Sequence, residues 1–456
     1  MPTQQDGEDP RSRAHQWGTT GGIRRKFVWT SGVLAVFLTC SGTTLRGDAP
    51  TSGTAAAVDQ AVAGLLSPDA AVRFQSATAL MTAPAPRAAV PLAQAVLDPV
   101  DDVQMAAIAA ELNIFLAEKL TPKKRIGLII EPKNRGVSEA AFLRGAVGLG
   151  AQDVPLEVLS ALRSAVADET PRVAIEALYA FGTLGADRVG ADRTELLRAA
   201  TGPLNTALGQ PAPTMRLAAV RVAGRLFQKR PSDEQVDERL GDGLIAALND
   251  ADKTIKLAAM DALGAMRYTR ALPALGELLA FYKKGDMAEG TLDAVARIAQ
   301  PESAGLLAAQ LLGSDPALKA TAIEGLARLG QRSSLPAIQK AVENDRTERV
   351  QMAGTFAAVL LAEAPADLIA EGLIRARLHD QAFRYMVEIA PSRTSTFLRF
   401  AHDPDERMRV EIAEILGQAG DPAALSILER LTADTDAQVV AAAKRATARL
   451  NRLAQL

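Results

Sequence analysis

The chain has 456 residues, of which 48% are apolar and only 4% are aromatic, and its formal net charge is −2. Acidic and basic residues are interspersed without the basic excess that is typical of nucleic-acid binders, so no nucleic-acid partner is expected. The single cysteine, Cys40, excludes an intramolecular disulfide and any site that needs paired cysteines. The length is sufficient for two or three ordinary domains or for one long array of repeats.

Residues 1–45 are predicted to form a disordered n-region followed by a signal peptide or an N-terminal membrane anchor. The basic run Arg24–Arg25–Lys26 precedes the apolar stretch Phe27–Cys40, which is the pattern of a secretion signal. The same basic run resembles a twin-arginine export motif. Because positive flanks stay inside, the rest of the chain is expected to be exported, to the periplasm or the cell envelope.

Three fates of this segment remain open. Cleavage would fall near Ser41–Ala49, and retention would leave a membrane anchor, since Phe27 to Leu45 is barely long enough to span a bilayer. The third fate is lipidation of Cys40, because Phe37–Leu38–Thr39–Cys40 loosely resembles a bacterial lipobox. Residues 46–57 are predicted to form a flexible linker on the basis of their composition.

From Val58 onward, one helical pattern recurs, and Asn249–Tyr282 shows it most clearly. Ile255, Ala259 and Ala262 fall at helical spacing and predict a first helix. The run Leu272–Pro273–Ala274–Leu275 predicts a second helix, because proline lies in the first turn, where its missing N–H costs nothing. Two such helices cannot bury both of their faces alone, so they need neighbours with the same pattern.

The pattern returns about every 33 residues, a period typical of helical solenoid repeats. The proline of the second helix also keeps its phase, at Pro91, Pro273 and Pro336. Agreement of phase across two helices predicts a repeat array. The first apolar residues of the successive first helices, called the anchors here, are Val72, Val103, Ala141, Val173, Met215, Ile255, Gly290, Leu318, Val350, Ala382, Met408 and Val439.

These residues resemble the HEAT-like repeat family, most closely its bacterial phycobilisome-lyase branch. The matched motifs are an opening D-P, then [VLM]-[RK]-x-x-A-x-x-A-[LI]-G, then L-P-A-[LI]. The resemblance covers residues 58–456 and implies an all-α, right-handed α-solenoid of about 11–12 HEAT-like helical hairpins. It also implies a polar ladder between units, for which the candidate residues are Asp252 and Lys256, Asp315 and Lys319, and Asp405 and Arg409.

The segment Thr121–Val137 lies where the repeat pattern predicts a second helix, and its sequence interrupts that pattern. Its sequence, TPKKRIGLIIEPKNRGV, contains a β-like run and a turn signal, which favour an ordered loop or a short extended insertion. The other interpretation is a distorted second helix capped by Thr121. Insertions in solenoids often project from the binding face. The candidate partner-binding residues of this insertion are Lys123, Lys124, Arg125, Lys133 and Arg135.

No catalytic, cofactor-binding or metal-binding residue is predicted, and no cofactor is expected. His379 and His402 each precede an aspartate at a predicted turn, and we interpret them as cap or turn residues. Deoxyhypusine hydroxylase, a HEAT-repeat enzyme, uses repeated His–Glu pairs, which this sequence lacks. It also lacks a G-x-S-x-G or Walker A segment. The last helix, Asp436–Leu453, is basic and is predicted to be a polar outer cap.

We therefore expect an exported, non-enzymatic scaffold or assembly factor of the cell envelope. It would bind protein partners along an extended concave surface, where many weak contacts require no catalytic residue. Its N-terminus would provide any association with the membrane. The alternative is a HEAT-like repeat enzyme or a chromophore-lyase-like protein, as the resemblance implies. A third class is an anchored protein that faces the cytoplasm, should the leader insert the other way.

Overall fold

The computed structural model describes residues 52–120, 136–145, 148–150, 152–228 and 236–454. The described residues form 23 α-helices, short 3-10 turns and one isolated β-bridge between Leu116 and Leu149. All of these helices belong to one compact unit, Thr51–Leu456. The predicted all-α fold class is confirmed.

The helices form two layers in which each first helix of a unit packs on the first helix of the next unit. The first helices, called the A layer, are α2 (Ala70–Thr82), α4 (Asp101–Phe115), α5 (Val137–Phe142), α7 (Pro171–Leu184), α9 (Pro213–Leu226), α11 (Lys253–Ala265), α13 (Asp286–Ile298), α15 (Pro316–Arg328), α17 (Glu348–Ala362), α19 (His379–Ile389), α21 (Glu406–Ala419) and α23 (Ala437–Ala454). The second helices, called the B layer, are α1 (Ser52–Gly64), α3 (Ala89–Ala95), α6 (Leu156–Ala165), α8 (Gly190–Leu208), α10 (Glu238–Ala247), α12 (Leu272–Phe281), α14 (Ala304–Gln310), α16 (Leu335–Glu343), α18 (Asp367–Ala370), α20 (Phe397–Phe400) and α22 (Leu425–Leu431). This alternation of two stacked layers is an α-solenoid.

The anchors predicted from the sequence are buried in almost every unit. Val72 is exposed at the start of the array and Gly290 is half-buried, while each of the other anchors is less than 9% exposed. In the unit of Gly290, Met287 lies one helical turn earlier and is buried instead. Gly264 lies inside α11, where an added Cβ would be 3.1 Å from the Cα of Ala294 in α13. That glycine therefore marks a close approach of two A helices.

One hydrophobic core runs through the described units from Val58 to Leu450. Every residue of α15 from Leu318 to Ala327 is buried, and α7 is buried almost as completely from Val173 to Leu184. A helix that is buried on all sides has no face left for water. In these units, therefore, the A layer is covered both by the B layer and on its opposite face.

The polar ladder exists, but the paired residues differ from those implied by the resemblance. Asp252, Asp315 and Asp405 are N-caps that accept hydrogen bonds from the amides of their own helices. In four units, the basic residue that follows the anchor instead reaches the aspartate in the turn before the next A helix. These pairs are Arg73–Asp98, Arg216–Asp250, Lys319–Asp345 and Arg409–Asp434, with nitrogen–oxygen distances of 2.6–2.7 Å.

One predicted boundary is also corrected. Helix α1 begins at Ser52, so residues 52–57, the second half of the predicted linker, are helical. The reason is that Val58, Ala61 and Leu65 are buried on one face of this helix, and the alanines before Val58 extend it by one turn. Residues 1–51 lie outside the described residues, so the predicted leader remains a prediction.

Candidate functional site

The site residues predicted from the sequence all lie outside the described residues. This applies to Cys40 and to the basic insertion, whose residues are Lys123, Lys124, Arg125, Lys133 and Arg135. Lipidation and partner binding by the insertion therefore remain predictions. In the described ranges, no group of three or more His, Cys, Asp or Glu side chains could hold a metal ion. No helix among the described residues is long and apolar enough to cross a membrane.

Both histidines of the array lie at turns or helix ends, where their side chains join neighbouring elements. His379 is the first residue of α19, and its Nε2 lies 3.0 Å from the Oε1 of Glu411 in α21. The hydrogen bond between His379 and Asp380, together with the contact to Glu411, raises the imidazole pKa against the opposing effect of burial. His402 lies in the turn after α20, with Nδ1 2.8 Å from the carbonyl oxygen of Leu398.

The face of the A layer opposite the B layer is crossed by contacts between helices two units apart. Arg328 of α15 donates from Nε to Glu388 of α19 at 2.9 Å, and Arg349 of α17 lies 3.3 Å from Glu289 of α13. Tyr385 of α19 donates to Glu324 of α15 at 2.5 Å. Because alternate helices touch, the A layer of α15–α19 is not an open groove.

The centre of this contact is a buried polar cluster with an aromatic floor. The ring of Tyr385 stacks on Phe356 at 4.2 Å, and its hydroxyl accepts a hydrogen bond from Gln381. Burial, together with the nearby Glu324, raises the pKa of Tyr385 well above its usual value, so the hydroxyl stays protonated and can donate. The cluster joins three successive A helices. Its chemistry is that of a structural network.

The last helix does not end the array as an exposed polar cap. Arg449 of α23 makes a two-pronged pair with Asp187, with Nε and Nη2 at 3.0–3.1 Å from the carboxylate oxygens. Arg452 adds a third nitrogen at 3.1 Å. All three side chains are less than 9% exposed. Burial opposes ionisation of Asp187, but the two guanidinium groups outweigh it and lower the pKa of the carboxyl group.

This triad, called the closure, connects residues that are 262 positions apart. Arg445 of the same helix lies 3.8 Å from Glu118, just after α4. The end of the array therefore contacts the units of α4 and α7, and the solenoid closes on itself. The basic helix was recognised from the sequence, but its partners were not.

The B layer is thin over one stretch, and a cleft opens there. Helices α18 and α20 have 4 residues each, compared with 10 in α12. A cavity beside α20 and the residues just before α18, called the B-layer cleft, has a volume of about 760 Å³, within the range of ligand sites. Its lining residues are Pro365, Ala366, Arg393, Ser395, Thr396, Leu398, Arg399 and His402. The sequence signal that could have located it is the absence of the D-P and L-P-A-[LI] motifs from the unit of Ala382.

Family models match two parts of this α-solenoid. Residues 255–281 match the PBS lyase HEAT-like repeat, and residues 381–448 match HEAT repeats. The chain carries HEAT-like repeats, and the family predicted from the motifs is confirmed. A search of the curated proteins found no match.

Three solved structures are similar to this chain at low identity. An engineered protein is 16% identical over 87% of this chain and 99% of its own, with a TM-score of 0.41. A chain from the complex in which Kap95p binds RanGDP is 13% identical over 88% of this chain, with a TM-score of 0.38, and 56% of its own length is covered. A computationally designed armadillo repeat protein for modular peptide recognition is 18% identical over 53% of this chain and 99% of its own, with a TM-score of 0.36.

Proposed function

We propose that the chain is an exported, non-enzymatic protein-interaction scaffold or assembly factor of the cell envelope. The observation that carries this proposal is the single core from Val58 to Leu450, which holds all described units in one stack. The motif residues are used for packing, and they leave the exposed positions free to differ between units. A rigid stack with a varied surface supports binding by area and needs no reacting group.

Large apolar side chains at the ends of B helices supply candidate contacts. Leu66 follows α1, Phe281 ends α12 and Leu312 follows α14, and each is more than 75% exposed. Leu97, which follows α3, is half-exposed. Because these residues share one end of their helices, they lie along one edge of the B layer. Covering one leucine with a partner gains about 1.5–3 kcal/mol, so this edge favours association.

Export is supported by the leader pattern alone. Arg24–Arg25–Lys26 before the apolar run Phe27–Cys40 is typical of a secretion signal, and the same segment would provide attachment to the membrane. Mass spectrometry of the mature N-terminus distinguishes cleavage, lipidation of Cys40 and retention of residues 1–45. A mature chain that is recovered intact from the cytoplasm would overturn the proposed location.

The competing hypothesis is a chromophore-lyase-like protein or another HEAT-like repeat enzyme. Its support is the match of residues 255–281 to the PBS lyase HEAT-like repeat. In that segment Ile255, Leu263 and Leu275 are all buried, so the matched motif describes packing. The absorbance spectrum and metal content of the purified full chain separate the two hypotheses. A bound chromophore or stoichiometric metal would favour the enzyme.

The scaffold is tested by affinity capture from the envelope fraction with the tagged full chain. A specific partner is expected with the wild type, and the double variant Phe281→Asp/Leu312→Asp should lose it. The matched control is Ser426→Asp, which places the same charge at an exposed position of α22 and should retain the partner. Failure to recover any partner would overturn the scaffold. A partner retained by the double variant would exclude the B-layer edge as its binding surface.

A further inference from the structure

The B-layer cleft combines three features in one open cavity of about 760 Å³. It has a basic side, formed by Arg393, Arg399 and His402. It has hydroxyl donors from Ser395 and Thr396, and an apolar side that includes Leu398. The ionisable side chains that line it are basic, and the carboxylate of Asp367, next to the lining residue Ala366, pairs with one of them.

The two arginines are held in place by different contacts. Arg393 donates to the carbonyl oxygens of Val359 at 2.8 Å and Ala364 at 3.2 Å, so its guanidinium group is fixed at the end of α17. Arg399 pairs with Asp367 across the cleft, and its side chain is still 51% exposed. The guanidinium carbon of Arg399 also lies 4.6 Å from the ring centroid of Phe400. Because Arg399 is half-exposed and held on an aromatic ring, its guanidinium group presents hydrogen-bond donors at a defined place. Its ion pair with Asp367 does not occupy all of these donors.

The apolar side of the cleft is open to solvent. Leu398 in α20 is 38% exposed, and Leu368 in α18, beside the lining residue Ala366, is 60% exposed. Both leucines lie on the two shortened B helices. An apolar anchor beside donor groups is the arrangement by which proteins recognise short segments of a partner.

We propose that the B-layer cleft binds a carboxylate-rich segment of a protein partner, with one apolar side chain held beside Leu398. Carboxylates are the complementary groups, because guanidinium and hydroxyl donors require acceptor oxygens. This inference rests on the proposed scaffold function and names one of its binding sites.

The test is fluorescence anisotropy with the full chain and a defined probe. The probe is a fluorescein-labelled octapeptide of glutamate and aspartate with a central leucine. Its counterpart replaces every acidic residue with lysine. The acidic probe is expected to bind and the lysine probe is not. Added salt should weaken binding, since exposed charges contribute.

Two cleft variants and one control decide the assignment. Arg399→Ala and Leu398→Asp should each raise the dissociation constant of the acidic probe by about tenfold. Arg430→Ala removes an exposed arginine from α22, the next B helix, and should leave it unchanged. Far-ultraviolet circular dichroism checks that each variant is folded.

Equal binding of both probes, or binding that neither cleft variant weakens, would overturn the proposal. No binding of the acidic probe to the folded wild type would overturn it as well. These outcomes are distinguishable from failure of the scaffold itself. If envelope capture still recovers a partner with Arg399→Ala, the scaffold stands and only the cleft assignment falls.

Discussion

Replacing Asp187 with Asn removes the charge that holds the closure together while keeping the shape of the side chain. Removing one partner of a buried ion pair costs about 3–5 kcal/mol. Arg449 keeps its hydrogen bonds to the carbonyl oxygens of Gly417 and Gln418, so we expect a loss at the lower end, about 3 kcal/mol. Urea unfolding followed by circular dichroism measures this loss as a lower midpoint.

The pH dependence of this loss follows from the lowered pKa of Asp187. A carboxyl group with a lowered pKa in the folded state stabilises the fold above its unfolded pKa, about 3.9. That stabilisation is lost as the pH falls through the folded pKa. The difference between the wild type and Asp187→Asn should therefore be largest near neutral pH and shrink in acid.

The matched control is Asp192→Asn, five positions further on. Asp192 pairs with Arg188 at 3.2 Å, but its side chain is 53% exposed, so its removal should cost less than about 1 kcal/mol. If Asp187→Asn unfolds at the same urea concentration as Asp192→Asn, the closure does not stabilise the array and the reasoning from burial is wrong.

Three further changes have defined effects on urea unfolding, with Ser426→Asp as an exposed control. Glu111 is buried with neither carboxylate oxygen hydrogen-bonded, so Glu111→Leu should add about 1–3 kcal/mol of stability. Burial raises the folded pKa of Glu111, so that gain should increase as the pH rises above about 4.3; a gain independent of pH would contradict this. The hydrogen bond from Lys319 lowers the pKa of Asp345 to about 2, so Asp345→Asn should cost up to about 1 kcal/mol at neutral pH and nothing below that pKa. A Cβ at Gly325 would lie 2.7 Å from Leu307, so Gly325→Val should cost about 1–3 kcal/mol, and a neutral result would refute the close packing of α14 on α15.

The repeating part of the fold could be predicted because its signals are local. Ile255 and Ala259 repeat the helical period, and Pro273 marks the start of α12 within its first turn. Burial of an anchor depends on its own unit and the next one, and both carry the same motif. A pattern of this kind specifies secondary structure, phase and stacking together.

The pairing of residues in the polar ladder could not be predicted from local sequence signals. Asp250 and Asp252 are two positions apart and have the same side chain, yet one pairs with Arg216 and the other caps α11. Their roles differ because Arg216 arrives from the preceding unit, and only the geometry of stacking decides which carboxylate it meets. The sequence therefore predicted the ladder through the family resemblance, but not its pairing.

Neither the closure nor the B-layer cleft could be predicted from the sequence, and the reasons differ. Arg449 and Asp187 are joined across most of the chain, and no periodicity connects positions at that separation. The cleft arises where α18 and α20 depart from the repeat pattern, so the sequence shows only a weaker match to the repeat at this place. Specific features of a repeat protein are those that its repeats do not share.

The closure also restricts how the number of repeats could change during evolution. Open solenoids grow or shrink by duplicating or deleting a unit, because each unit contacts only its neighbours. In this chain, inserting one unit between Asp187 and Arg449 would displace both arginines of α23 and leave the aspartate buried without them. A buried, unpaired carboxylate costs several kcal/mol. The number of units between Asp187 and Arg449 is therefore fixed, and new binding properties in this part of the array must come from changes within units, as at the two shortened helices.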